Sequence, residues 1–416
     1  MKVLVIGGGG REHALLWKLA QSPKVAEMYC LPGNAGTSQL AKNTDLSVDD
    51  IDEIVKFAKE KKIDLTVVGP EAPLVAGIVD AFEAKGLRIF GPKKNAAKIE
   101  GSKIFAKNLM KKYGIPTASY RVFDDPAKAT EYIKQVGPPL VVKADGLAAG
   151  KGVIIAKDES TALNAVKSIM NERTFGKSGD RIIIEEYLEG PEVTVLAFCD
   201  GYKAIPMVSS RDHKRIYDND LGPNTGGMGA ISPAPGYNLE ISKLVEENIV
   251  QKTIDALSRE GIKFVGVLYT GLILTNNGPK VLEYNCRFGD PEAQVILRRL
   301  ETDLVDIIER AIDGDLESAK IKWSEQKAVC IILASGGYPG KYEKGKLIEG
   351  LNLIKENAVV FHAGTKETDG KVYTFGGRVL GVTSLGSTME EARQKAYQAI
   401  NSIHFDGMHY RKDIGL

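Results

Sequence analysis

The chain has 416 residues, which at ~150 residues per domain implies about three domains, each long enough to bury a core of its own. Charged residues make up 26% and apolar residues 43%, the balance of a folded protein rather than a disordered one. Fifty-five basic against fifty-four acidic side chains leave a formal charge of +1, which argues against a dedicated nucleic-acid or anionic-membrane binder.

Residues 1–100 alternate strand and helix signals. Val3 to Ile6 reads as a buried strand ending in glycines, and residues 64–68 (DLTVV) and Arg88-Ile89-Phe90 repeat that form before Gly-Pro pairs. Between them, Ser47 is the expected cap of a helix whose apolar positions Ile51, Ile54, Val55 and Ala58 recur at i, i+3, i+4 and i+7. Such alternation predicts an N-terminal parallel α/β domain with ligands at the carboxyl ends of its strands. Those ends read GGGGREH, LPGNAGT and VGPEAPL.

A second unit, 101–190, starts with a helix whose face carries Phe105, Leu109 and Tyr113 and which Gly114 and Pro116 stop. Strand-like runs follow at 140–143, 153–155 and 182–184, with a glycine-rich segment from Asp145 to Gly152 between the first two. A third, 191–325, holds further strands, a polar stretch at 209–236 expected as a long loop, and a helix from about Leu239 to Arg259. The last, 326–416, opens on an apolar run, Val329 to Ala334, and closes on a helical segment, Thr388 to Ile400.

Glycine is over-represented, 44 of 416 residues against an ordinary ~7%. The excess lies in clusters at Gly7 to Gly10, Gly146 to Gly152, Gly226-Gly227 and Gly376-Gly377, as where backbone turns sharply or approaches a ligand. The four cysteines, Cys30, Cys199, Cys286 and Cys330, form no C-x-x-C and are expected as buried reduced thiols. Five scattered histidines offer no metal-ligand spacing. The apolar start is too short for a signal peptide, and no run approaches the ~18 apolar residues of a membrane span, so a cytoplasmic protein is expected.

GGGGREHAL is a poor dinucleotide fingerprint. Counting from Gly7 puts Glu12 where G-x-G-x-x-G needs a small residue, and counting from Gly8 puts His13 there. What remains is either a glycine turn offering a helix N-terminus to one phosphate or a purely structural turn.

The segment Lys280 to Arg287 is more informative. On a strand, Glu283, Asn285 and Arg287 share one face, with Leu282, Tyr284 and Cys286 on the other. A carboxylate and an amide oxygen two residues apart suit a hard divalent ion that keeps waters and phosphates as its other ligands. Arginine beside them suits a carboxylate or phosphate. Residues 182–192 (IIIEEYLEGPE) run from an apolar strand into a polar hinge, able to offer main-chain groups to a purine and a carboxylate to ribose hydroxyls. Lys103 and Lys143 add cations, and the loop with Lys151 is suited to cover a triphosphate, although Gly152 after Lys151 excludes a P-loop.

In this order the pieces resemble the ATP-grasp superfamily. Residues 32–37 (PGNAGT), 69–71 (GPE), 211–215 (RDHKR), 222–230 (GPNTGGMGA), 287–292 (RFGDPE) and 410–415 (YRKDIG) narrow the resemblance to the phosphoribosylamine–glycine ligase family. The resemblance implies an α/β and α+β multidomain chain: the parallel α/β domain at 1–100, an ATP-grasp core of two α+β subdomains at 101–190 (a lid) and 191–325 (with the metal site), and a small C-terminal α+β domain at 326–416. It also implies a carboxylate–amine ligase using ATP and Mg2+ (or Mn2+), with glycine and 5-phosphoribosylamine as further partners, no nucleic acid and no membrane, as a monomer or weak homo-oligomer.

By the same resemblance, Lys103, Lys143, Gly150, Lys151 and Gly152 contact ATP phosphates, while Glu185, Glu186 and Leu188 read adenine and Glu192 takes the ribose. Glu283 and Asn285 hold the metal. Arg287, Lys143, Asp212 and Lys214 carry catalysis. Gly9, Gly10 and His13 lie near the sugar phosphate, Asn34 and Glu71 near the ribose, with Asp212, Asn224, Gly227 and Arg287 shaping the glycine pocket. Asp212 and Lys214 also read as an ordinary solvated charge pair. One departure stands out: many members carry another acidic ligand about a dozen residues before the metal pair, where this chain has Tyr269-Thr270-Gly271-Leu272. Two rival readings are a sibling ligase or carboxylase that activates bicarbonate or formate, and a non-catalytic nucleotide sensor.

Overall fold

Five short parallel strands open the chain in the computed structural model, which describes residues 1–148 and 152–416. They are β1 (Lys2–Gly7), β2 (Glu27–Pro32), β3 (Lys42–Asn43), β4 (Leu65–Val68) and β5 (Ile89–Phe90), in the order β3-β2-β1-β4-β5. Helix α1 (Gly10–Leu19) follows β1 directly, and α2 (Ile51–Lys61) presents Ile54, Val55 and Ala58 to the core as the periodicity predicts. Its cap is Asp50, not Ser47: the Asp50 carboxylate accepts the Glu53 N–H at 3.2 Å, while Ser47 shapes the turn before it. Helices α3 (Glu71–Ala76), α4 (Ile78–Glu83) and α5 (Lys94–Gly101) lead to α6 (Lys103–Tyr113), which Gly114 ends at φ 64°.

The next sheet is antiparallel, ordered β6 (Tyr120–Phe123), β9 (Ile182–Glu186), β7 (Leu140–Ala144), β8 (Val153–Ala156), with α7 (Pro126–Val136) and α8 (Glu159–Val166) packed on it. Beyond it run β10 (Glu192–Asp200) and β11 (Ala204–Pro206). The expected long loop at 209–236 is instead four short strands: β12 (Arg211–Asp212), β13 (Arg215–Tyr217), β14 (Leu221–Asn224) and β15 (Gly229–Ser232). Shortness hides these strands from a periodicity reading, as do the polar side chains of Arg211, Asp212, Arg215 and Asn224, which face the cleft described below.

Helices α9 (Leu239–Val245) and α10 (Lys252–Arg259) form one helical run through residues 246–251, as expected. The long strands β16 (Val265–Thr275) and β17 (Gly278–Asn285) complete a central sheet ordered β11-β10-β16-β17. Strands β10 and β16 are almost wholly buried, which explains their unbroken apolar runs. Helix α11 (Glu292–Arg299) packs on α1, and α12 (Leu304–Asp313) on β10 and β16.

The C-terminal sheet is built from β18 (Lys327–Ala334), β19 (Ala358–His362) and β22 (Arg378–Gly386), with a side hairpin β20 (Thr365–Thr368)–β21 (Lys371–Thr374). It takes in β12 and β15, giving the order β12-β15-β18-β22-β19, so stretch 191–325 lends two strands to the tail. Helix α13 (Met389–Ile400), capped by Thr388, covers β18 and β22. All four cysteines are buried and free. Among the described residues, no helix is long and apolar enough to cross a membrane.

Candidate active site

A cleft of about 900 Å³ lies between the β6–β9–β7–β8 sheet and the central sheet and is closed at one end by the β12–β15 segment. Val141, Val153 and Ile155 form one apolar wall, and Ile273 and Leu282 the other, a slot suited to a planar base. Leu282 corrects the alternation read from sequence. Gly271 pairs with Glu283 but Leu272 with Val281, so a β-bulge leaves Leu282 unpaired. Val281, Tyr284 and Cys286 therefore enter the core, and Leu282 joins Glu283 in the cleft.

Cations gather at the far end of the slot. Ser102 and Asp145 cap α6 together: Ser102 Oγ accepts the Phe105 N–H and donates to Asp145 Oδ1 at 2.9 Å, and Asp145 Oδ1 accepts the Ile104 N–H at 2.9 Å. That cap sets Lys103, whose ammonium donates to the Gly146 carbonyl at 3.1 Å. Lys143 donates to the Leu282 carbonyl at 3.2 Å and pairs with Glu185 Oε2 at 3.0 Å. Burial lowers Lys103 from its ordinary value, with Glu283 pulling the other way.

Glu185 has a second partner that the sequence reading missed. Lys107, one turn after Lys103, reaches the same Oε2 at 2.9 Å and donates to Thr117 Oγ1 at 2.8 Å. Burial brings Lys107 down to about 8, against the pull of Glu185. Glu185 Oε1 is buried with no partner among the described residues. Glu186 and Leu188 line the cleft, Glu186 accepting the Ser119 N–H at 2.9 Å. Glu192 also lines the cleft, paired with Lys214 at 3.0 Å. Gly152 faces the cleft, whereas Gly150 and Lys151 lie outside the described residues.

Glu283 and Asn285 both face this cleft, and among the described residues neither side chain has a hydrogen-bond partner. Burial pushes the Glu283 carboxyl up, but Lys214, Lys143, Lys103 and Arg287 around it hold it below the ordinary carboxylate range. An ionised carboxylate and a free amide oxygen fit a hard divalent ion that completes its shell with water and phosphate. The residues present therefore fit Mg2+ or Mn2+.

Also lining the cleft, Arg287 is clasped by two carboxylates, Glu71 at 3.1 Å and Glu100 at 3.0 Å. Glu100 is itself fixed by the Cys286 N–H at 2.7 Å. Asp212 lines the cleft with Oδ1 buried and unpartnered among the described residues. Burial and then the nearby Glu292 carboxylate raise it well above the ordinary range, so it is no solvated loop charge. Glu292 accepts the Tyr269 hydroxyl at 2.9 Å, on the strand where a further acidic ligand is absent. Asn224 lines the same wall. Gly227 stands behind it at φ +110°, and a Cβ there would lie 2.6 Å from Asp212 Oδ1 and 2.5 Å from Pro291 Cδ. Glycine is required for that close approach.

The N-terminal glycine motif packs within the chain. Gly9, Gly10, His13 and Asn34 are not among the residues that line the cleft; His13 and Asn34 meet His362 of the C-terminal sheet. His13 Nδ1 accepts the His362 N–H at 2.8 Å, and burial, with His362 beside it, takes its imidazole down to about 3. Asn34 spends its whole amide on backbone: Nδ2 donates to the Gly8 and His362 carbonyls, and Oδ1 accepts the Gly36 and Thr37 N–H groups. Gly10 abuts Gln294 of α11.

The helix N-terminus that suggested a phosphate is met by carboxylates. Glu12 Oε2 takes the Gly9 N–H at 2.6 Å, and Asp290 Oδ2 lies 3.4 Å from the Arg11 nitrogen. Gly7 and Gly69 are glycines because the buried Glu12 side chain fills the crevice between β1 and β4. Arg11, Glu100, Asp290 and Arg378 are cleft residues the sequence reading passed over. Arg11 and Asp290 stood inside quoted motifs, and Arg378 follows the Gly376-Gly377 cluster, the one signal that pointed to it.

Three family descriptions match most of the chain, with residues 294–327 between the second and third. They are the N domain of phosphoribosylglycinamide synthetase over residues 1–100, its ATP-grasp (A) domain over 101–293 and its C domain over 328–416. A phosphoribosylamine–glycine ligase of Caldanaerobacter subterraneus is 52% identical, covering 100% of this chain and 99% of that protein. One of Halalkalibacterium halodurans is 51% identical, covering 100% and 96%. The crystal structure of phosphoribosylamine–glycine ligase from Thermotoga maritima superposes with a TM-score of 0.86 at 36% identity, over 99% of this chain and 100% of that one. A biotin carboxylase domain from Hydrogenobacter thermophilus, in complex with MgADP and bicarbonate, shares the fold at 18% identity, TM-score 0.76, over 98% and 91% of the two chains. Matched over its whole length and half identical to such relatives, the chain belongs to the phosphoribosylglycinamide synthetase family.

Proposed function

We propose that this chain ligates glycine to 5-phosphoribosylamine with ATP, yielding glycinamide ribonucleotide, ADP and phosphate, a step of purine biosynthesis. The observation that carries the reading is the convergence of Lys103, Lys143, Lys214 and Arg287 on Glu283 beside an apolar base slot. Four cations around one carboxylate and an adjacent free amide suit a polyphosphate whose terminal group is being transferred. Family relatives carry the same activity in their names.

In this reading the base lies between Val141, Val153 and Ile155 on the lid and Leu282 and Ile273 below, its amine toward Glu185 Oε1 and its edge along 186–188. Glu192 takes the ribose, and Lys103 and Lys143 take the phosphates. A divalent ion, Mg2+ or Mn2+, bound by Glu283 and Asn285 would offset phosphate charge; the MgADP bound by the H. thermophilus neighbour supports that expectation. Glycine's carboxylate oxygen attacks the γ-phosphorus and the β–γ bridging bond breaks, giving glycyl phosphate and ADP. The amine of phosphoribosylamine then attacks the acyl carbon, phosphate leaves, and the amine proton departs with it.

Catalysis is positioning and charge neutralisation, with no protein nucleophile. Lys214 and Arg287 bear on the developing charge, and Asp212 faces glycine's ammonium. Arg287 keeps its orientation because Glu71 and Glu100 clasp it from behind. The test is a coupled ADP-release assay with glycine and freshly made phosphoribosylamine, repeated with each omitted and with bicarbonate or formate in place of glycine. ADP release that needs both glycine and the amine is expected. Release driven by bicarbonate or formate would replace this reading with the sibling carboxylase or ligase.

A further inference from the structure

Lys214, Arg215, Asp220 and Asn224 all reach the cleft from one hairpin, β13–β14, which pairs only with itself. A lone two-stranded hairpin is marginally stable. This one also turns at Asn219 and Asp220, at φ 58° and 53° in the left-handed region that asparagine and aspartate tolerate but do not by themselves fix. The hold comes from the last residues of the chain. The Arg411 side chain is 1% exposed, and its NH1 donates to the Arg215 carbonyl at 3.1 Å and to Asp220 Oδ1 at 2.7 Å. Its Nε and NH2 engage Asp413 Oδ1 and Oδ2 at 2.8 and 2.6 Å.

Asp413 Oδ2 also accepts the Asn219 N–H at 2.8 Å, and the Lys412 N–H donates to Asp218 Oδ1 at 2.7 Å. Every residue of the turn is thus tied to three consecutive tail residues. The tail is anchored in its turn, because Tyr397 on α13 donates to the Arg411 carbonyl at 2.8 Å. The same domain grips the segment's other end. Gly226 donates to the Tyr338 hydroxyl at 2.9 Å and accepts from Arg378 at 2.6 Å.

We infer that Arg411 and Asp413 are positioning residues that hold the β13–β14 hairpin against the acceptor end of the cleft. Neither touches substrate; each acts through the backbone and turn that aim Lys214 and Asn224. A guanidinium fork spanning a carbonyl and two carboxylates is a geometry lysine does not reproduce. The inference rests on the acceptor-side reading of Lys214 and Asn224 given above.

The experiment compares Asp413→Asn, Arg411→Lys and, as a control on that reading, Lys214→Ala, measuring KM for ATP, glycine and phosphoribosylamine separately together with thermal unfolding. Asp413→Asn and Arg411→Lys are expected to raise KM for glycine or phosphoribosylamine about tenfold, the worth of a lost charge-assisted bond, while KM for ATP stays within about twofold of the parent. An equal rise in all three constants, with lowered thermal stability, would make the cluster merely structural and overturn the inference. Unchanged acceptor constants in Asp413→Asn overturn it too. In that case a Lys214→Ala variant with raised acceptor constants leaves the acceptor-side reading standing, and one with unchanged constants removes both. Should Arg411→Lys not fold, Asp413→Asn and Asp220→Asn decide, since asparagine tolerates the left-handed turn at 220.

Discussion

Lys107 lies 2.9 Å from Glu185 Oε2, with the two side chains 3% and 2% exposed. A buried carboxylate survives only if cations compensate its lost hydration, and Lys143 is the second of them. Lys107 and Lys143 both pair with Oε2, which leaves Oε1 without a partner among the described residues at the base slot. Lys107→Met is expected to cost about 3 kcal/mol, the low end for removing one partner of a buried pair because Lys143 remains. Denaturant unfolding measures that loss, and KM for ATP should rise in the same variant. A stability equal to the parent's would mean that Lys143 alone suffices.

Glu283→Gln should lower kcat by roughly 10²-fold or more while nucleotide affinity changes little, checked by steady-state rates and nucleotide titration. The sign with pH follows from the four cations near Glu283, which hold its carboxyl below the ordinary range despite burial. Its contribution to stability is present above the unfolded carboxylate pKa and is lost as pH falls through the lower folded value. The acid limb of the rate profile should therefore fall below the ordinary carboxylate range. Normal turnover in the variant would remove Glu283 from the metal site.

Asp212 moves the other way. Burial and then Glu292 raise its carboxyl, so its neutral form favours the fold and that favour is lost as pH rises through the raised value. Asp212→Asn should flatten the fall in stability across the window between the ordinary carboxylate range and the raised value. At the alkaline end the variant should melt a few degrees higher than the parent and turn over more slowly. Thermal melts at several pH values test this, and parallel curves for the two proteins would contradict it.

Gly227→Ala places a methyl group 2.5 Å from Pro291 Cδ and 2.6 Å from Asp212 Oδ1 at φ +110°. About 1–3 kcal/mol of destabilisation is expected for that strained backbone, with KM for glycine raised because Asp212 is displaced. Gly236→Ala is the control: φ is +75° but no atom lies within 4 Å, so only the left-handed penalty of about 1 kcal/mol applies. Equal effects at the two positions would show that crowding against Asp212 is not what matters.

Much of the site could be read from residue order. Lys103, Lys143, Glu185, Glu283, Asn285 and Arg287 all line the cleft, because cap, strand and hinge signals are local and their spacing decides which side chains share a face. The parallel N-terminal strands and the helical run of 239–259 were legible for the same reason. Illegible features depend on partners far off in sequence. Arg287 meets Glu71 across 216 residues and Arg411 meets Arg215 across 196. One bulge at Leu282 overturned a strict alternation, since the extra residue belongs to a pairing between strands and not to either strand alone.

Glycine clusters show where that boundary runs. Residue types alone pointed to close backbone approach at Gly7 to Gly10, but not to what: the neighbours are Glu12 at Gly7 and Gly9, Gly33 at Gly8 and Gln294 at Gly10, with His13 and Asn34 spent on the seam to the C-terminal sheet. By itself the sequence determined the helices, the apolar strands and the order of the polar residues that line the cleft, which follow from periodicity and residue chemistry. Only the tertiary structure decided which carboxylates restrain which cations and which strands the polar 209–236 stretch joins, because ion pairs and sheet pairings form between segments that topology alone brings together.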